Sequence, residues 1–124
     1  MLRAVVIDDE IYAAENLVRM LEDTGMAEVV GWFVNPVDAL DKLGSLNADV
    51  IFTDVVMPGM DGMTLANRVQ QMDRPVRVVF VSGHDKYAVD AFEAGALDYL
   101  LKPVTQERLR KTLRNLKKHP LRPI

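Results

Sequence analysis

The sequence contains no cysteine, and this absence excludes several kinds of chemistry at once. Disulfide bonds, thiolate metal sites and cysteine nucleophiles all require that side chain. The chain also lacks any apolar run that approaches the length of a membrane span. Arg3, Asp8 and Asp9 stand where a signal peptide would need its apolar stretch, so the expected location is cytoplasmic.

No extreme of composition marks the 124 residues, of which 49% are hydrophobic and 27% charged. These values predict one globular domain with a single core. We expect the domain to span residues 1–118, with residues 119–124, which include two prolines, as a tail or the start of a linker. Residues 1–104 carry 8 Lys and Arg against 17 Asp and Glu, whereas residues 105–124 carry 7 against 1. The body is therefore acidic and the end is basic.

Short apolar runs rich in valine and isoleucine alternate with segments of helical periodicity. The runs cover residues 4–7, 29–34, 50–53, 76–81 and 97–101. Their length and composition indicate buried strands. The apolar faces expected for three of the helices are Ile11, Ala14, Val18 and Leu21 in the first, Leu40 and Leu43 in the second, and Leu109, Leu113 and Leu116 in the last. Five strands alternating with five helices predict an α/β fold with a parallel sheet covered on both faces.

Local signals place several helix boundaries. Asn35 followed by Pro36 is typical of a capping residue and a first helical residue. We expect Asp61 to cap a third helix over about residues 62–72 rather than to bind a metal ion. The fourth helix is expected over about residues 86–94.

Chemically distinctive side chains follow the predicted strands. They are, in chain order, Asp8, Asp9 and Glu10, then Asp54, Ser82 and Lys102. In a doubly wound sheet, ligands bind beyond the carboxyl ends of the strands, near the point where the strand order reverses. The positions of these residues therefore predict a functional site at one edge of the sheet.

The residue types at this edge suit phosphoryl transfer. Neighbouring carboxylates raise one another's proton affinity unless a cation offsets them. Mg²⁺ fits, because it takes a few carboxylates and keeps water and phosphate oxygens as its other ligands. Lys102 would face a phosphoryl oxygen with a point charge, and the Ser82 hydroxyl could donate to the same group. Asp54 could be a metal ligand only, or the nucleophile that forms an aspartyl phosphate.

Simpler explanations exist for each residue taken alone. Three consecutive acids can be a solvated helix start, and Asp54 can cap a turn. Ser82 before Gly83 can belong to an ordinary turn. These explanations leave open why acids, hydroxyl and lysine all fall at strand ends in this order.

Other classes of protein fit the sequence less well. A Mg²⁺ phosphotransferase with multiple turnovers needs a further general acid or base and usually a cap over the site, and we find no candidate for either. A flavodoxin-like flavin carrier needs a loop rich in Gly, Ser and Thr after the first strand, where this chain has acids. A pure interaction module would not need the complete set of site residues. Direct DNA binding by the basic last helix is disfavoured, because a charge footprint without a reading motif is weak evidence.

The sequence resembles the receiver domain of two-component response regulators over nearly its whole length. The resemblance rests on Asp8 and Asp9, on Asp54 in D-V-V-M-P-G-M-D-G, on Ser82, and on Lys102 in L-K-P-V. It implies a doubly wound, five-stranded parallel sheet of order 2-1-3-4-5 with helices on both faces. It also implies that Asp54 receives a phosphoryl group from a partner histidine kinase. Such a protein is a phosphoacceptor switch rather than an enzyme, since it catalyses only its own phosphorylation and dephosphorylation.

The resemblance extends to individual roles. The Mg²⁺ ligands that it implies are Asp9, Asp54 and the backbone carbonyl of Val56, with Asp8 acting through water. Ser82 and Tyr99 occupy the hydroxyl and aromatic switch positions. The peptide bond between Lys102 and Pro103 is expected to be cis, as the family places it.

The stretch A-V-D-A-F-E-A-G-A-L-D-Y-L-L-K-P-V is similar to receivers that precede LytTR-type DNA-binding domains. This similarity implies control of transcription through an output domain that is absent from these 124 residues, so that DNA contact would come only through that domain. A stand-alone receiver or a phosphorelay intermediate, acting through protein contacts, is the alternative. No membrane partner is expected.

A phosphoryl group on Asp54 is expected to draw the Ser82 hydroxyl inward and let Tyr99 turn toward the core. The surface that would change comprises the fourth helix, the fifth strand and the fifth helix. We expect a phosphorylation-dependent homodimer in which acids of one copy face bases of the other. The acids are Asp85, Asp90 and Glu93, predicted on the fourth helix, and the bases are Arg110, Lys111 and Arg114 on the fifth.

Overall fold

The computed structural model describes residues 1–74 and 76–118, and the expected tail at residues 119–124 lies outside the described residues. The elements are β1 (Leu2–Ile7), α1 (Ile11–Asp23), β2 (Ala27–Phe33), α2 (Pro36–Leu46), β3 (Val50–Thr53), α3 (Gly62–Gln70), β4 (Arg77–Ser82), α4 (Ala88–Glu93), β5 (Asp98–Leu101) and α5 (Gln106–Lys118). The strands form one parallel sheet of order β2-β1-β3-β4-β5. The predicted α/β fold and its strand order are therefore confirmed.

Helices cover both faces of the sheet. Residues of α2, α3 and α4 pack in the core on one face, and residues of α1 and α5 pack on the other. Side chains alternate along a strand, so in β1 Val5 belongs to the first core and Val6 to the second. All four residues of the central β3 are buried, which explains the three consecutive apolar residues Val50, Ile51 and Phe52.

The local signals for helix starts are confirmed. The Asn35 side chain accepts hydrogen bonds from the backbone N–H groups of Val37 and Asp38, at 2.8 and 3.4 Å, and Pro36 is the first helical residue. Asp61 caps α3 by accepting from the N–H of Thr64 at 2.8 Å. These bonds satisfy donors that a helix N-terminus otherwise leaves without partners.

Several positions differ from the predictions. In α1 the buried residues are Ala14, Leu17 and Leu21, whereas Ile11 is 49% exposed because it opens the helix at the edge of the sheet. The fourth helix begins at Ala88, so Asp85 lies in the preceding loop and not on α4. The third helix ends at Gln70, two residues before the predicted end. None of the helices in the described part of the chain combines the length and the apolar character that a bilayer crossing needs.

Candidate functional site

The pairing of β1 with β3 brings the first two acidic positions together. Ile7 lies opposite Thr53, and the N–H of Asp54 donates to the carbonyl of Ile7 at 3.2 Å. The residues that follow these strands therefore lie side by side at the sheet edge. One carboxylate oxygen from each of Asp8, Asp9 and Asp54 lies within 4.8 Å of the others.

These three carboxylates differ in their surroundings. Asp8 is buried, Asp54 is half-buried and Asp9 is exposed. Oδ1 of Asp8 accepts a hydrogen bond from the N–H of Glu10 at 2.9 Å, and Oδ1 of Asp54 accepts from the N–H of Val55 at 2.7 Å. Each bond holds one oxygen in place, so the Oδ2 atoms of both residues have a defined direction.

Lys102 lies between these two Oδ2 atoms. Its Nζ is 2.8 Å from that of Asp8 and 3.0 Å from that of Asp54. Burial by itself lowers the pKa of Lys102, but hydrogen bonds to the two carboxylates and their negative charges raise it by more, and the net shift is upward. The ammonium therefore stays charged at neutral pH. The cis peptide bond expected between Lys102 and Pro103 is present.

The three carboxylates form a donor set that fits Mg²⁺. All their donor atoms are hard oxygens, and the exposed position of Asp9 leaves room for water or phosphate oxygens in the remaining coordination positions. Val56 is exposed in the loop that follows Asp54, and the part of its carbonyl in metal binding stays a prediction.

The two predicted switch residues are connected through His84. Ser82 is buried at the end of β4, and its Oγ accepts a hydrogen bond from the N–H of His84 at 3.1 Å. The hydroxyl of Tyr99 donates to the carbonyl of His84. Tyr99 is only 8% exposed, and its ring centroid lies 6.3 Å from that of Phe80. The structure therefore has Tyr99 already in the inward position that we expected only when Asp54 carries a phosphoryl group.

Sequence reasoning missed the role of Gly62, the first residue of α3. A Cβ at this position would lie 2.3 Å from the carbonyl oxygen of Asp54 and 3.0 Å from the Cα of Val55. The N–H of Gly62 donates to the carbonyl of Val55 at 2.7 Å. The start of α3 thus packs directly against the backbone that presents Asp54, and only glycine fits there. The available signal was a glycine directly after the capping Asp61.

The charged residues expected at a dimer surface are only partly available. Arg110 lies on α5 as predicted, but it donates to the carbonyls of Thr24 and Asp23 at 3.3 and 3.5 Å, where it binds the end of α1. The remaining charged residues of that set that lie on α4 and α5 are exposed, and they are Asp90, Glu93, Lys111 and Arg114.

Comparisons with known proteins agree with this geometry. Residues 4–114 match the family model described as the response regulator receiver domain. An uncharacterized response regulatory protein of Vibrio vulnificus is 47% identical over 118 residues, which is 95% of this chain and 48% of that protein. The sensory transduction protein LytT of Bacillus cereus is 39% identical over 118 residues, again 95% of this chain and 48% of that protein. The chain spans about half the length of these curated relatives.

A solved structure gives the same result at the level of the fold. The response regulatory domain of protein mrkE from Klebsiella pneumoniae superposes with a TM-score of 0.86 and 32% sequence identity, covering 94% of this chain and 96% of that one. The similarity to LytT supports the narrower resemblance to LytTR-associated receivers. The chain belongs to the response regulator receiver domain family.

Proposed function

We propose that this chain is a phosphoacceptor switch in which Asp54 receives a phosphoryl group from a phosphohistidine of a histidine kinase. The observation that carries the proposal is the surroundings of the Asp54 carboxylate. It lies within 4.8 Å of oxygens of Asp8 and Asp9 and 3.0 Å from the Lys102 ammonium. A nucleophilic carboxylate, a donor set for a divalent cation and a fixed positive charge are the parts that phosphoryl transfer requires.

In the proposed step, a carboxylate oxygen of Asp54 forms a bond to phosphorus as the bond from phosphorus to the imidazole nitrogen breaks. The electron pair stays on that nitrogen, which takes up a proton. Lys102 is already held at the site, so its charge stabilises the phosphoryl oxygens without reorganisation. The Ser82 hydroxyl would donate to one of these oxygens. Mg²⁺, which Asp9, Asp54 and the Val56 carbonyl would hold with Asp8 acting through water, supplies further positive charge when bound.

The product of this step is the phosphorylated chain itself. In this proposal the protein therefore changes state once for each phosphoryl group that it receives, and it does not turn over a small substrate. Its output would be control of transcription through a further domain. The 39% identity to the transcriptional regulatory protein BtsR of Salmonella typhi and the greater length of the matched relatives support this output.

Phosphorylation by acetyl phosphate with Mg²⁺ tests the proposal. Intact-mass spectrometry should show one added phosphoryl group on the unchanged protein and none on Asp54→Asn. Asp61→Asn is the matched control, because its carboxylate lies in the same loop but caps α3, and it should still be phosphorylated. Hydroxylamine should remove the group, as it does from acyl phosphates. A phosphoryl adduct of undiminished yield on Asp54→Asn would overturn the assignment.

A further inference from the structure

The carboxylate of Asp98, at the start of β5, accepts hydrogen bonds from three residues. Arg108 of α5 donates to both carboxylate oxygens, at 2.7 and 2.9 Å. The buried Thr112 hydroxyl donates to Oδ2 at 2.8 Å, and the N–H of Tyr99 donates to Oδ1 at 2.8 Å. The Asp98 side chain is only 14% exposed, so water competes weakly for these bonds. Such a bidentate contact between an arginine and a carboxylate fixes the relative orientation of the two side chains and adds stability.

The protonation state of Asp98 agrees with this geometry. Burial alone would raise the pKa of its carboxyl group. The hydrogen bonds from Arg108 and Thr112 and from the Tyr99 amide, together with the charge of Arg108, lower the pKa by more. Asp98 is therefore a stable anion that holds β5 to α5.

Tyr99 takes part in this cluster and in the candidate site at the same time. Its backbone N–H binds Asp98, while its hydroxyl binds the carbonyl of His84. The N–H of His84 in turn binds Oγ of Ser82. These hydrogen bonds, joined through the covalent structure of His84, Tyr99 and Asp98, connect the Ser82 hydroxyl with helix α5.

A series of contacts transmits a change only if one member has two arrangements that both ends can influence. The Tyr99 side chain would be this member: the His84 carbonyl in the loop after β4 holds its hydroxyl inward, and loss of that bond would allow the side chain to turn outward. The Ser82 hydroxyl would donate a hydrogen bond to a phosphoryl oxygen, and the movement of its Oγ toward that oxygen would lengthen or break the bond that Oγ accepts from the His84 N–H. The Asp98 carboxylate is hydrogen-bonded both to the backbone N–H of Tyr99 and to Arg108 of α5. A movement of the Tyr99 backbone would therefore also displace α5.

We propose that Asp98, Arg108 and Thr112 form a clamp, here called the β5–α5 clamp, which passes the state of the Asp54 site through Tyr99 to α5. This inference rests on the proposed function, since the signal is the phosphoryl group on Asp54. The three residues are positioning residues and do not contact the reacting atoms. Without the clamp, the site would still respond locally, but the helix would respond less.

Backbone amide resonances, measured before and after addition of beryllofluoride with Mg²⁺, separate these two responses. In the unchanged protein, shifts are expected at Gly83 beside the site and at Leu109 and Leu113 on α5. In Arg108→Gln the Gly83 shift should persist, while the α5 shifts should fall by roughly half or more. Thr112→Val removes only the hydroxyl bond and should give a smaller loss at the same amides.

Lys117→Gln is the matched control, because Lys117 is an exposed base on the same helix that belongs neither to the clamp nor to the charged set expected at the dimer surface, and it should leave these shifts unchanged. Thermal unfolding measures whether each variant is folded. If Arg108→Gln does not fold, the α5 shifts of Thr112→Val decide whether the clamp transmits the change. Full α5 shifts in both clamp variants would show that the cluster is a static brace and would overturn the inference. Absence of any Gly83 shift in the unchanged, folded protein would instead overturn the proposed function on which the clamp depends.

Discussion

The ammonium nitrogen of Lys102 lies 3.0 Å from Oδ2 of Asp54, although 48 positions separate the two residues in the chain. The contact exists because β3 and β5 end at the same edge of the sheet on either side of β4. The N–H of Lys102 also donates to the carbonyl of Ser82 at 2.8 Å, which orients the start of the lysine side chain. The protein therefore carries its own partial countercharge for the carboxylates, whose repulsion we had expected only a bound cation to offset.

This countercharge distinguishes Asp9 from Asp8. Asp9 is exposed, and no described residue makes a hydrogen bond or ion pair with its carboxylate. We expect Asp9→Ala to weaken Mg²⁺ binding by roughly tenfold or more, because the proposed direct ligand is lost. Without metal, its free energy of unfolding should change by less than about 0.5 kcal/mol. Calorimetric titration with Mg²⁺ and urea denaturation in a chelator measure the two effects.

Asp8→Ala provides the comparison for that experiment. It removes the buried partner of Lys102, so we expect a loss of about 1–3 kcal/mol in the metal-free free energy of unfolding. Equal stability of the two alanine variants would contradict the distinction between a metal ligand and an ion-pair partner.

Substitution of Gly62 should displace the backbone that presents Asp54. In Gly62→Ala the new methyl group would lie 2.3 Å from the Asp54 carbonyl oxygen, and a backbone atom cannot move away as a flexible side chain can. We expect a loss of about 1–3 kcal/mol in the free energy of unfolding and slower phosphorylation by acetyl phosphate. Urea denaturation and mass spectrometry over time measure the two quantities.

Gly44→Ala is the matched control, because a Cβ there meets nothing within 4 Å and the residue lies inside α2. It should stabilise the protein by roughly 0.5–1 kcal/mol through the lower helix propensity of glycine. If both alanine variants gained stability, the close packing at Gly62 would not be the constraint that we infer.

The ion pair of Asp98 predicts a pH dependence of stability with a definite sign. The pKa of Asp98 in the folded protein lies below its ordinary value of 3.8. The stabilisation is therefore fully present above the unfolded-state pKa and is lost as the pH falls through the folded-state pKa. Asp98→Asn should be clearly less stable than the unchanged protein at pH 6, and the difference should shrink toward pH 3. Urea denaturation at several pH values gives the two curves.

Asp41→Asn separates this effect from the general action of acid. Asp41 is exposed on α2, and no described residue pairs with its carboxylate. Its substitution should leave the curve close to that of the unchanged protein across the same range. A constant difference between Asp98→Asn and the unchanged protein at all pH values would show that the carboxylate charge is not what stabilises the β5–α5 contact.

How much the sequence could reveal depended on the range of each contact. The strand ends follow from short apolar runs, so the meeting of Asp54 and Lys102 at one edge was predictable from local patterns and the rules of parallel sheets. The exposure of Ile11 was not predictable, because helical periodicity does not show which residue at the end of a helix extends beyond the sheet. Pairing of Asp98 with Arg108 depends on how α5 lies across β5, and no local pattern encodes that angle.

The same reasoning explains the two errors about the charged surface. Asp85 directly precedes residues 86–94, where we expected the fourth helix, but α4 starts only at Ala88. Arg110 follows the polar periodicity of α5, yet it binds the end of α1 across the helix interface. Charged residues at helical spacing predict a solvent-facing side of the helix. They do not show which arginine of that side is hydrogen-bonded to another part of the chain.

The last prediction concerns the surface of α4, β5 and α5. Large apolar side chains are exposed there, namely Val89 at 69%, Phe92 at 51% and Leu101 at 51%. Acids on α4 and bases on α5 flank them, so two copies related by a two-fold axis can bury the apolar residues and pair opposite charges. We expect beryllofluoride with Mg²⁺ to shift the protein from monomer toward dimer. Light scattering at matched concentrations should show a smaller shift at high salt, because salt screens exposed ion pairs.

Charge reversal distinguishes this arrangement from nonspecific association. Lys111→Glu should weaken the dimer, since it sets an acid of one copy against the acids of the other. Adding Glu93→Lys to the same chain should restore part of the association, because the two-fold axis brings each new charge opposite its reversed partner. Arg110→Gln is the control, because Arg110 binds carbonyls of α1, and it should leave the dimer unchanged. An unchanged mass with the mimic bound, as shown by the Gly83 amide, would mean that this receiver signals through another surface.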